Sequence, residues 1–321
     1  KRSVALDLKD EQGRRAARAL AGRADVLVEN FKAGALERLG LGFEEVGRDN
    51  PGLVWCSISG FGRGPGADLP GYDFLVQAMS GLMSITGPAG GEPTKVGVAL
   101  VDVLTGLYAF GGILAALAER DRSGRGQRVE VSLLGSALAS LVNQASSYLC
   151  TGRPPRAMGN RHPSITPYET LATADRPLVV AVGNDGQFAR LCRVLGLPEL
   201  AADPRFATNA DRVTNRDALA GLLERALAAR GAADWVAALA DAGVPCGLVN
   251  DVGEAFALAE RLGLEPVAAA GGIPQVANPI RLSSAPASYR LAPPALGEHT
   301  AEVLGWLAGP PSGDPGAVPT P

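Results

Sequence analysis

The sequence predicts an α/β fold, on three observations. Over residues 1–155, short apolar runs of strand length alternate with segments of helical period, the rhythm of right-handed βαβ units around a Rossmann-like parallel sheet. A Gly-, Pro- and Arg-rich stretch, Thr151 to Pro167, then breaks that rhythm. Beyond it, strands and helices follow in a different order, the mark of a smaller α+β unit. The expected organisation is a large domain over 1–155, a linker or active-site segment over 156–167, and a small domain over 168–285. The closing text "GPPSGDPGAVPTP" has too little apolar surface to repay ordering, so 310–321 is expected to be disordered.

The elements follow in order. "SVALDL" reads as a strand and Asp10 to Gly22 as a helix. "DVLVEN" is a second strand, followed by a helix containing Ala35 to Leu39 that Gly40 stops. "GLVWCSIS" is a third strand and runs into a glycine-rich loop. A long helix from about Asp102 to Arg122 ends at "SGRGQ", "RVEVSLL" is a strand, and a helix from Gly135 to Leu149 closes the block. In the second block, strands are expected at "PLVVAVG", "VPCGLVN", Glu265 to Ala269 and Pro279 to Ser283. Helices are expected at Gln187 to Leu195, Asn215 to Ala229, Ala233 to Ala242, Val252 to Leu262 and Glu298 to Leu307.

Composition narrows the class of function. With 46% hydrophobic and 20% charged residues, the chain has ordinary soluble globular usage. A net charge of −3 with scattered cations, and only 5% aromatics, argue against nucleic acid as a partner. The four cysteines are far apart and there are two histidines, which fits neither a disulfide framework nor a zinc site. No metal is expected, and a reducing, cytoplasmic compartment is. The apolar run after Asp102 reaches only to Ala118, short of the ~20 residues of a spanning helix. A buried helix and no membrane partner are therefore expected.

Within "VGVALVDVLTGLYAFGGILAAL", Val96 to Leu117, Asp102 stands alone as a charge. It reads either as the N-cap of the helix that follows or as a catalytic carboxylate whose charge the helix start supports. "VENFKAGALERLG" places Asn30 and Phe31 at the C-terminal end of a parallel strand, where open α/β sheets bind ligands; a turn and a core aromatic is the plainer reading. Arg38, on the next helix, either reaches a phosphate or is simply solvated. "SGFGRGPGADLPGYDF" matches neither the Walker pattern nor GxGxxG. "VGNDGQF" reads as a strand end with Asn184 or Asp185 capping a helix. Arg153, Arg156, Arg161 and His162 form either a solvated face or a cluster for a substrate carboxylate.

These motifs, with "KRSVALDL", "PGYDFLVQAMSGLMSITG", "GRGQRVEVSLL" and "LGEHTAEVLG", resemble in their order the family III CoA-transferases. That family includes formyl-CoA transferase, carnitine CoA-transferase and the α-methylacyl-CoA racemases. The text looks most like the succinyl-CoA-dependent dicarboxylate transferases of the glutarate type. The resemblance implies a CoA-transferase with Asp102 as a nucleophile that forms covalent acyl intermediates, with helix-start amides beside it as candidate oxyanion donors. It implies coenzyme A contacts at Asn30, Phe31, Ala35 and Arg38. Tyr72 falls on an active-site position that is His in the racemases, which weakens a racemase or epimerase alternative. Substrate contacts are expected from Tyr72, Arg156, Arg161 and His162. Coenzyme A is expected as a substrate, with no permanently bound cofactor. The resemblance further implies an interlocked homodimer and a C-terminal helix, 286–309, that returns to the large domain. It also implies a start after the family's first strand and helix, which leaves a catalytically inactive CoA-binding fragment as a further alternative. "AMGNRHPSITPYE" lacks the glycine run of the family's lid.

Overall fold

A computed structural model describes residues 1–309, so the tail expectation for 310–321 lies outside the described residues. The chain forms two compact units. The first comprises Lys1–Met83, Lys95–Pro155 and the described residues from Val267 onward; the second comprises Ser84–Thr94 and Arg156–Pro266.

In the first unit, helix α1 (Glu11–Gly22) is capped by Asp10, whose carboxylate accepts from the N–H groups of Gln12 and Gly13. Such a cap contributes about 1 kcal/mol. Strand β1 (Val26–Glu29) leads through α2 (Ala35–Arg38) and α3 (Phe43–Asp49) to β2 (Val54–Ser59). Helices α4 (Asp73–Met79) and α5 (Leu82–Ile85) precede the long α6 (Leu100–Ser123). That helix ends where Gly124 takes φ 71°, the left-handed conformation that stops helices. Strand β3 (Arg128–Ser132) is followed by α7 (Leu133–Ser140) and α8 (Val142–Thr151). The three strands lie parallel in the order β1-β2-β3, with Val54, Trp55 and Cys56 of the middle strand fully buried. Leu36, Leu41, Val46, Leu53 and Trp55 pack together in one cluster, and Val76, Val101, Leu133 and Ala137 in another.

The second unit is built on an antiparallel sheet, β4 (Tyr168–Leu171), β5 (Leu178–Ala181) and, further along the chain, β6 (Cys246–Leu248), with β5 in the middle. Between β5 and β6 lie α9 (Asp185–Val194), α10 (Asn209–Thr214), α11 (Arg216–Leu227) and α12 (Ala232–Asp241); α13 (Val252–Arg261) follows β6. Their apolar faces form one core around Phe188, Leu191, Leu219, Leu223 and Trp235. The segment 84–94 joins this unit because the N–H groups of Ala157 and Gly159 donate to the carbonyls of Ser84 and Gly87.

The chain then returns to the first unit through β7 (Val267–Ala270) and β8 (Ile273–Val276), a hairpin turning on Gly271 and Gly272, both at positive φ. Helix α14 (Thr300–Ala308) packs on α1. There the Arg23 guanidinium donates to the carbonyls of Trp306, Leu307 and Gly309 and lies over the Trp306 ring.

Several expectations need correction. "SVALDL" is no strand: Ser3 and Ala5 donate to His299 Nδ1 and Thr300 Oγ1, side-chain acceptors that offer no ladder. The helix expected over 135–149 breaks at Val142, which has φ 38°. Pro279 to Ser283 is not a strand; the second strand of the hairpin is Ile273–Val276. The hairpin itself goes with the first unit, whereas the linear boundary at 285 placed it in the second. Of the segment 286–309, only Thr300–Ala308 is helical.

Helix α6 departs furthest. It is long and apolar enough to cross a membrane by length and composition, so the expectation that its apolar run falls short does not hold. Nor is it buried within the chain. Only Val101, Thr105, Ala109 and Ala116 are buried, while Val103, Leu107, Phe110 and Leu114 stand exposed along one stripe.

Candidate active site

The site begins where two parallel strands end. Glu29, the last residue of β1, accepts from the Phe31 N–H at 2.8 Å and from the Ser57 hydroxyl of β2, which fixes the turn carrying Asn30 and Phe31. Gly34, at φ 77°, starts α2, which carries Ala35 and Arg38. At the end of β2, Gly60 meets Gly71 so closely that a Cβ on either would lie 2.5–2.6 Å from the other's Cα. This contact brings the glycine-rich loop back across the sheet edge and delivers Tyr72 and Asp73 at the start of α4.

Between these loops lies a cavity of about 690 Å³. Asn30, Phe31, Tyr72 and Asp102 line it together, and Lys32 and Asp68, paired at 2.8 Å, lie on the same wall. Ala35 and Arg38, on α2, are not among the residues that line it. The cavity occupies the crevice at the C-terminal ends of the strands, where parallel α/β sheets bind ligands.

Asp102 is not the cap of α6. It sits in the first turn, and the cap position, Ala99, makes no side-chain bond. The cap comes from Asp73, whose Oδ1 accepts from the N–H groups of Val101 at 2.8 Å and Asp102 at 3.2 Å. These helix-start amides are therefore occupied, which corrects their expected part as oxyanion donors. Asp73 is itself held by the fully buried Gln77, whose Nε2 donates to Oδ2 at 2.6 Å while its Oε1 accepts from Val96 N–H. Burial, and then the negative charge of Asp73, push the Asp102 carboxyl above the ordinary aspartate range. A carboxylate made more basic in this way is a better nucleophile while it stays ionised.

Sequence reasoning missed Asp73 and Gln77. Their signal was present as two polar residues four apart in "DFLVQAM", a spacing that puts both on one helix face.

Residues 1–300 match CoA-transferase family III over nearly the whole described chain. The chain belongs to that family. The succinate–glutarate CoA-transferase of Agrobacterium fabrum is 45% identical over 96% of this chain and 78% of its own. The human succinyl-CoA:glutarate CoA-transferase is 38% identical over 95% of this chain and 71% of its own. A crystal structure of a CAIB/BAIF family protein from Brucella suis superposes with a TM-score of 0.86 at 44% identity, covering 96% of this chain and 82% of that one.

As a family III CoA-transferase, the chain is an enzyme that transfers coenzyme A between carboxylic acids, and it has the family's α/β fold. The other expected contact residues of this CoA-transferase lie in its second unit. Arg156 is exposed and has no ion pair among the described residues. Arg161 pairs with Glu169 at 2.9 Å and Asp217 at 2.6 Å, so two protein carboxylates already occupy its guanidinium. The His162 ring lies 5.2 Å from that of Tyr168, and its Nδ1 accepts from the Ser164 N–H. Among the described residues, no cluster of His, Cys, Asp and Glu could hold a metal ion.

Proposed function

We propose that this enzyme moves coenzyme A between dicarboxylic acids, with a succinyl-type thioester as donor, through covalent intermediates on Asp102. The observation that carries the reading is Asp102 itself: a carboxylate of raised basicity, on the first turn of a helix, at a cavity on the sheet's C-terminal edge. The names of the relatives supply the class of acid.

The carboxylate of Asp102 attacks the donor thioester carbonyl, forming a mixed anhydride and releasing CoA thiolate. The thiolate attacks the aspartyl carbonyl and releases the donor acid, leaving an aspartyl-CoA thioester. The acceptor carboxylate attacks that thioester, giving a second anhydride and thiolate. Attack of the thiolate on the acceptor's acyl carbon forms the new acyl-CoA and restores Asp102. Each step is one acyl transfer with no net proton change, so catalysis rests on positioning. Asn30, Phe31, Ala35 and Arg38 are the coenzyme A contacts, and Tyr72 offers its hydroxyl beside the reacting acid. Coenzyme A enters as a substrate, and no resident cofactor is needed.

Arg156 and His162 recognise the distal carboxylate, with Arg161 in a supporting place because its own carboxylate partners hold it. The working enzyme is a homodimer, interlocked as the resemblance implies. The exposed stripe of Val103, Leu107, Phe110 and Leu114, at 49–60% exposure, supports a second copy covering α6. Four free thiols fit a reducing, cytoplasmic setting.

Incubation with succinyl-CoA followed by borohydride reduction should leave a mass change at Asp102. Asp102→Asn should lose both the adduct and turnover, the latter by at least about 10³-fold. An unmodified Asp102, or a fully active Asp102→Asn enzyme, would overturn the reading.

A further inference from the structure

The second unit contains an arrangement that the transfer chemistry alone does not explain. The segment 161–166 has few backbone bonds of its own, and side chains of α10 and α11 grip it almost residue by residue. Asn209 Nδ2 donates to the Ser164 carbonyl at 2.8 Å, and its Oδ1 accepts from the Thr166 N–H at 3.2 Å. Arg212 donates through Nε to the Thr166 carbonyl at 2.8 Å. Arg216 donates to the carbonyls of His162 at 3.2 Å and Pro163 at 3.3 Å. Asp217 holds Arg161.

Arg212 is the centre of this grip. Its side chain is fully buried, yet every direction of the guanidinium is used. Besides Thr166 it donates to the Phe206 carbonyl at 3.0 Å and to Asp185 Oδ1 at 2.7 Å, and it stacks on the Phe188 ring. Asp185 and Phe188 both belong to "VGNDGQF", so that motif supplies the counter-charge and the stacking face for a buried cation. A fully buried arginine is retained only where its hydrogen bonds are complete, and its planar fork then fixes each partner in space.

We infer that Asn209, Arg212 and Arg216 are positioning residues for the acceptor acid: they hold 161–166 in one conformation, so that the acid-binding side chains beside it need no ordering when substrate arrives. The inference rests on the reading of Arg156 and His162 as the acid-recognising residues. Its physical basis is preorganisation, which raises affinity by removing the ordering cost of a loop. An ungripped "RHPSIT" run would have to be ordered at each encounter with the acceptor.

The test uses full-length enzyme with Asn209→Ala, Arg216→Ala and the charge-preserving Arg212→Lys, measured beside Arg156→Ala. The KM for a dicarboxylate acceptor should rise about 10-fold in the grip variants. The KM for the acyl-CoA donor, and the yield of the Asp102 adduct in a single turnover without acceptor, should stay at the wild-type level. A merely structural role would move both KM values and the adduct yield together, or none of them, and either result overturns the inference. Should Arg212→Lys fail to fold, the partly exposed Asn209 and Arg216 variants carry the test. If Arg156→Ala leaves the acceptor KM unchanged, the acid-binding reading itself fails and the inference falls with it. If Arg156→Ala raises that KM while the grip variants do not, only the inference fails.

Discussion

The carboxylate of Asp73 accepts hydrogen bonds from the backbone N–H groups of Val101 and of Asp102 itself, so one acid caps the helix that presents the other. A cap and a charge are thereby supplied by a single side chain, and substitution separates them. Asp73→Asn keeps an acceptor oxygen and removes the charge that helps to raise the Asp102 pKa. The protonated fraction of Asp102 grows as pH falls, so the acid limb of adduct formation should move to lower pH in this variant. The rate on the plateau should drop a few-fold, because a less basic carboxylate is a weaker nucleophile. Asp73→Ala also removes the cap and should lose about 1 kcal/mol of stability. Single-turnover rates against pH, with thermal melts, check both.

Gly71→Ala tests the loop crossing. The added methyl carbon would lie 2.6 Å from Gly60 Cα, a backbone atom that cannot step aside cheaply. The glycine-rich loop must move off the sheet edge, carrying Tyr72 and Asp73 with it. The KM for acyl-CoA should rise and kcat should fall together, with a loss of roughly 1–3 kcal/mol in stability. Denaturant unfolding and steady-state kinetics measure the two.

Arg161→Ala should destabilise, unlike Arg156→Ala. Glu169 is 6% exposed and depends on Arg161 for its counter-charge. Leaving a buried carboxylate unpaired costs about 1–3 kcal/mol. Glu169→Gln in the Arg161→Ala background should recover part of that loss, as a double-mutant cycle on Tm would show. Exposed, and with no ion pair among the described residues, Arg156 should be replaceable at no cost in Tm.

Asp175 predicts part of the acid response. Hydrogen bonds from the Ala232 N–H, the Thr173 hydroxyl and the Arg176 N–H hold its pKa at about 2, below the ordinary 3.8. A carboxylate depressed in the folded state contributes stability above its unfolded pKa, and that contribution is lost as pH falls from about 4 to about 2. Asp175→Asn should therefore be less stable than wild type at neutral pH, and the gap should close through that window. Melts at a series of pH values follow it.

What was legible in the sequence was local. Strands β1, β2 and β3 follow from apolar runs, whereas Asp10, read as the first residue of its helix, is the cap before it. A cap in "VGNDGQF" was expected at Asn184 or Asp185, and it is Asn184, whose side chain accepts from the Gln187 N–H. Partners distant in sequence stayed hidden. Asp73 lies 29 residues before the helix turn it caps, and Asp185 lies 27 before Arg212, so neither could be paired by spacing. "SVALDL" has the composition of a strand, but a strand exists only where a ladder partner does. Helix α6 was recognisable as apolar, whereas the half of it left bare depends on what covers it, which periodicity within one chain does not encode.

The hydrogen bonds joining Ser3 and Ala5 to 297–300 have a consequence for how the polypeptide emerges from a ribosome. By residue 266 all of the second unit has been synthesised and can condense. The first unit, begun earlier, must wait with its opening segment unpaired for nearly 300 residues of translation. The unit that carries Asp102 is thus the last to close.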